Sequence, residues 1–188
     1  MGDKVHYNLK NVHYAKIIVG SDGKITYATP VAIPGAVSIA LDAQGETKKF
    51  YADGIVYWQS TGNNGYEGDL EIALVPDSFR QDILGEALDA TDKVFVENSS
   101  VNANAFALLF EFDGDAAGTK HVLYNCTSTR PGLNGKTTED SKEPDTEKLK
   151  ISAVPLADGK VKARTSDDTT TAVRSAWYTK VWLPSAAA

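Results

Sequence analysis

Apolar residues recur at every second position in several stretches of this chain, and that spacing leaves few folds open. Ile33, Val37, Ile39 and Leu41 mark one face of a segment whose other face carries Ser38 and Asp42. Leu70, Ile72 and Leu74 alternate with Asp69, Glu71 and Ala73, and Val122, Tyr124 and Cys126 with His121, Asn125 and Thr127. Leu149 and Ile151 alternate with Lys148, Lys150 and Ser152. Successive strand side chains point to opposite faces, so each pattern predicts a strand buried on one side. The run FALLFEF, residues 106–112, is apolar at both parities until Glu111 and predicts a central strand covered on both faces. Turn chemistry punctuates these runs: SDG at 21–23, ADG at 52–54, NNG at 63–65, FDGD at 112–115 and ADG at 157–159. Short strands at this frequency predict a mainly β fold, an antiparallel sandwich or barrel, rather than a βαβ architecture.

One short flanking helix is expected at Pro76–Leu84. Pro76 suits the first helical position, Asp77 and Ser78 offer acceptors to free first-turn amides, and Gly85 is a natural stop. Phe79 and Ile83, four apart, share a face that must lie against a sheet, since so short a helix is unstable in water. A second helical turn is expected at Thr169–Ala176, before an aromatic strand WYTKVWL.

At 188 residues the chain fits a single domain, 1–188, with no internal repeat and no dividing linker. Residues 43–68 read as a long hairpin standing away from the core. Residues 131–147, PGLNGKTTEDSKEPDTE, lack an apolar residue after Leu133 and read as an exposed, mobile loop.

Charge and motifs narrow the chemistry. The net charge of −6 opposes adhesion to nucleic acid or to acidic membranes. No apolar run approaches a membrane span, and MGDKVHYNLK lacks the apolar core of a secretory leader. Cys126, the single cysteine, has no internal disulfide partner and falls on the apolar side of its strand. GLNGKT at 132–137 imitates a phosphate-binding loop, but Arg130 stands where the first glycine belongs and no amphipathic helix pattern follows. His6, His13 and His121 are widely spaced, so no zinc-type ligand set is expected, and DGD at 113–115 reads as a turn rather than a calcium loop. There is no G-x-S-x-G elbow, and the paired carboxylates Glu139–Asp140 and Asp167–Asp168 lie in polar runs. An enzyme built on His121 or Cys126 needs a clustered pocket that the sequence does not show. No cofactor and no catalytic activity are expected.

The aromatics point elsewhere. Tyr51, Tyr57 and Trp58 lie on the expected hairpin, which has little core of its own in which to bury them. Aromatics on a projecting element are typical interface anchors. The alternative, a hairpin folded down over the sheets, is equally open at this level.

Six ordered blocks carry a family likeness: FYADG (50–54), NNGYEGDLEIALVP (63–76), FRQDILGE (79–86), FALLFEFDGD (106–115), HVLYNCTSTRPG (121–132) and PLADGKVKART (155–165). Together they resemble the major tail protein family of long-tailed bacteriophages and prophages of Gram-positive bacteria, from about Asn11 to Trp182. The resemblance implies a virion subunit, assembled in the bacterial host cytoplasm, that polymerises as stacked hexameric rings into a tail tube. It implies a β-sandwich flanked by a helix on its outer side, with the Leu70–Leu74 strand in a sheet continued across subunits around the lumen. The implied partners are further copies of the chain and the tape-measure, tail-terminator and distal tail proteins. Genomic DNA would pass along acidic walls without being bound. On this reading Tyr51, Tyr57, Trp58, Asn63, Asn64 and Tyr66 are expected at subunit contacts. The alternative is a carbohydrate-binding β-sandwich of a phage or prophage, with Tyr57 and Trp58 stacking on sugar.

Overall fold

The structure, a computed structural model, describes residues 5–114, 118–137 and 144–184. Residues 1–4, 115–117, 138–143 and 185–188, which include the N-terminal arm, part of the turn expected at 112–115, part of the loop expected at 131–147 and the terminal alanines, therefore lie outside the described residues.

The chain is mainly antiparallel β. Its strands are β1 (His6–Val19), β2 (Ile25–Tyr27), β3 (Val31–Ala32), β4 (Ala36–Gln44), β5 (Thr47–Ala52), β6 (Ile55–Thr61) and β7 (Gly65–Ile72), followed by β8 (Ala87–Leu88), β9 (Phe95–Val96), β10 (Phe106–Gly114), β11 (Thr119–Ser128), β12 (Glu147–Ala153) and β13 (Lys162–Arg164). One sheet runs β2-β1-β10-β11-β12-β7-β4, with β13 also on β11 and β3 also on β1. Segment 31–44 closes that sheet on itself. Its start pairs with β1, with the Ile33 amide 2.7 Å from the Val12 carbonyl, and its remainder pairs with β7. The result is a barrel rather than two separate sheets.

As expected, β10 is central, and its two faces meet different cores. Phe106, Leu108 and Phe110 point into the barrel with Tyr14, Leu70, Ile72 and Leu149. Ala107 and Leu109 point outward to Val122, Tyr124, Trp177 and Val181. Glu111 continues the outer face at 7% exposure, where its carboxylate accepts from Asn11 at 3.0 Å and from the Tyr178 hydroxyl at 3.1 Å. Lys10 and Lys120 each approach it at 3.8 Å. A buried charge needs this much company, so the site fixes the C-terminal segment against β1 and β10.

The helix lies at the expected place with altered detail. α1 (Asp77–Phe79) runs directly into a π-helical turn, Arg80–Leu84, and ends at Gly85 in the left-handed region, φ 75°. Pro76 stands directly before the helix, near its first position as expected, and makes no side-chain cap. The helix buries one face as expected and leaves Asp77, Ser78 and Gln81 exposed on the other. Phe79, Ile83 and Leu84 are fully buried in the barrel core, with the Phe79 ring edge-on to Tyr14 at 5.1 Å and to Phe106 at 5.4 Å. It plugs the end of the barrel at which β7 finishes.

Other expectations are corrected by the phase of the backbone. Val37 is exposed because the β4–β7 register slips between Ala36 and Ser38. A second slip between Phe106 and Leu108 in the β10–β11 ladder sends Val122 and Tyr124 outward but Cys126 inward with Leu123. Leu74, past the end of β7, is exposed. The strand expected over WYTKVWL does not form. α2 (Thr171–Ala176), capped by the Thr170 hydroxyl, passes into further turns, so that Val173, Trp177 and Val181 recur at helical spacing over the outer core. β7 lies within the sheet, with β12 on one side and β4 on the other.

Candidate assembly surfaces

The 43–68 segment leaves the barrel at Gln44 and returns at Gly65. Between them β5 and β6 pair only with each other, as a two-stranded sheet whose residues are exposed except for half-buried Ala52. Its base is polar: Thr47 faces Thr61, Lys48 faces Ser60 and Lys49 faces Gln59. Its tip is apolar on both faces. Phe50 pairs with Trp58, Tyr51 with Val56 and Ala52 with Ile55, while Tyr57 occupies the extra position created by a bulge. Tyr57 is 71% exposed, Ile55 64% and Trp58 55%. At the turn Asp53 (φ 54°) and Gly54 (φ 77°) take the two left-handed conformations a tight hairpin needs. Apolar side chains gathered on an element with no core beneath them mark a contact surface.

Of the six residues expected at subunit contacts, Tyr51, Tyr57 and Trp58 come together at this tip. Asn63 and Asn64 sit at its root. The Asn63 side chain accepts from the Gly65 amide at 3.1 Å, and the Asn64 amide donates to the Gln44 carbonyl at 2.8 Å, so both rebuild the ladder where the hairpin ends. Gly65 is required there, since a Cβ would lie 1.9 Å from the Ala153 carbonyl oxygen. Tyr66 is a barrel residue, half-buried beside the inner core with the Lys162 ammonium 4.3 Å above its ring. Phe50, Ile55 and Val56 join the three aromatics at the tip, and the unbroken apolar run Ile55–Trp58 is the sequence signal for them.

A second feature lies at the barrel end where the hairpin emerges. There β13, not β12, accompanies the upper half of β11, and a pocket of about 220 Å³ opens between Leu41, Tyr66, Phe110, Phe112, His121 and Lys162. His121 stacks flat on Phe110 at 5.0 Å, and Phe112 meets both His121 and His6. Burial lowers the His121 pKa to about 4, with the positive charges of Lys162 and Arg164 acting in the same direction. His13 lies elsewhere, stacked on Tyr178 at 4.6 Å, so the histidines do not converge on one site. Cys126 is buried, and burial pushes its thiol up to about 12, which leaves it without nucleophilic character. Among the described residues no group of three or more His, Cys, Asp or Glu side chains could hold a metal ion, and no helix is long and apolar enough to cross a membrane.

The outward face of β7 carries Glu67, Asp69 and Glu71 in a row, with Asp42 opposite Glu67. Lys150 and Lys148 on β12 approach Glu67 and Glu71 at 3.3 and 3.9 Å. No protein-family model matches the chain, and no curated protein matches it.

Proposed function

We propose that this chain is a non-enzymatic structural subunit that polymerises through its hairpin, as a component of a bacteriophage tail tube. The observation that carries the reading is the apolar tip formed by Phe50, Tyr51 and Ile55–Trp58 on a hairpin with no partner of its own. A monomer gains nothing from displaying such a surface, whereas a subunit buries it on association. The six sequence blocks supply the choice of assembly, a tube of stacked rings with tape-measure, terminator and distal tail proteins as its companions in the virion. The net charge of −6 suits a conduit past which DNA slides without adhering.

Negative-stain electron microscopy of the purified chain over a concentration series tests this. Hollow rings or tubes of constant width are the expected result. Monomers at every concentration, together with retention on a glycan array, would instead favour the sugar-binding alternative.

A further inference from the structure

Two apolar features of opposite shape stand unpartnered among the described residues: the hairpin tip projects, and the barrel-end pocket recedes. We propose that the hairpin tip of one copy seats in the barrel-end pocket of the next, joining copies head to tail. This rests on the assembly reading above and names the acceptor that reading leaves open.

Composition fits on both sides. The tip from Phe50 to Trp58 is aromatic and aliphatic, and its single charge is Asp53 at the turn. The pocket is lined mainly by Ile39, Leu41, Phe110, Phe112 and Leu123, beside Tyr66 and His121, and among the described residues its only formally charged lining residue is Lys162. An apolar plug with one anion therefore faces an apolar socket with one cation. Burying the plug removes apolar surface from both copies, and the Asp53–Lys162 pair fixes its orientation.

The geometry favours a neighbour over the copy's own pocket. The hairpin continues the β4–β7 ladder at its root, where the Asn64 amide donates to the Gln44 carbonyl and the Gly62 amide to the Glu46 carbonyl, and β4 and β7 supply Leu41 and Tyr66 to the socket. Strands of this length carry the tip about 20 Å from its root, at roughly 3.3 Å per residue. A stiff arm anchored at the socket's rim cannot double back into it. Because plug and socket are different surfaces, every copy offers one of each, and the contact propagates into a closed ring or an open filament.

Disulfide trapping between two single-site variants tests the contact. One full-length chain carries Ile55→Cys at the exposed tip, and the other carries Lys162→Cys at the exposed rim. Leu41→Cys is a second acceptor variant in case the rim substitution weakens seating. Cys126 is buried and does not compete. Under mild oxidation the mixture is expected to give linked dimers at least tenfold above either variant alone, and excess wild-type chain should suppress them. Equal linkage in mixed and separate samples, or Ile55→Cys linking only to itself, overturns the proposal. If wild-type rings still form in that case, the assembly reading survives without this contact. Mixed links between the variants, with a wild-type chain that forms only closed pairs, would support the contact and remove the tube.

Discussion

Nη2 of Arg80 donates to Oε1 of Glu147 at 2.9 Å, joining the helical plug to the first residue of β12. The other carboxylate oxygen accepts from the Val75 amide at 2.6 Å, and Arg80 also approaches Glu86 at 3.3 Å. One carboxylate thus anchors both the approach to the helix and its first turn. Glu147→Ala strips the Val75 amide of its acceptor and leaves Arg80 with Glu86. A loss of about 2–4 kcal/mol in urea unfolding is expected, since removing one partner of a half-buried hydrogen-bonded pair exposes the other's desolvation cost.

Phe79 is the centre of the plug, wedged between Tyr14 and Phe106 with no exposed surface. Phe79→Ala should cost about 3–5 kcal/mol, with Phe79→Leu substantially milder because it keeps most of the volume. Equal stability of the alanine variant and the wild type would mean that the barrel end collapses around the gap.

His121 gives stability a pH dependence of definite sign. Its folded pKa, about 4, lies below the ordinary 6.5, so the unfolded chain takes up a proton first. This contribution is fully present above pH 6.5 and is lost as the pH falls from there towards 4. Replacing His121 with Phe preserves a ring against Phe110 and should flatten the stability curve in that interval. Urea midpoints measured at half-unit steps for both chains decide it.

The tip residues should separate folding from assembly. Trp58→Ala removes an exposed ring, so the urea midpoint should move by less than the equivalent of about 0.5 kcal/mol. The concentration needed for assembly should rise at least tenfold, the behaviour of an interface anchor. Unchanged assembly would remove Trp58 from the contact.

The thiol of Cys126 should report unfolding alone. With burial raising its pKa to about 12, alkylation at neutral pH is expected only through opening of the barrel. Its rate should therefore accelerate in variants such as Phe79→Ala and remain unchanged in Trp58→Ala.

The sequence by itself determined the β class, the central place of FALLFEF, the position of the plug helix and the apolar character of the hairpin. Each depends on local spacing, turn chemistry or a stop residue, and these act over a few neighbours. What it could not determine was phase. β1 was hidden because Asn8 and Asn11 take left-handed conformations (φ 54° and 53°) and the β1–β10 register slips beside both, which breaks the alternation that marks a strand. The slips at Val37 and between Leu123 and Cys126 likewise moved side chains to another face. The C-terminal aromatics read as a strand in sequence because their helical spacing shows only against the outer core they cover. Closure of the barrel by segment 31–44, burial of Phe79, Ile83 and Leu84 in its core, and the pocket beside the hairpin root all join residues far apart in sequence. Only the tertiary structure decided them, because hydrogen bonds between distant strands, not neighbouring side chains, set where each face points.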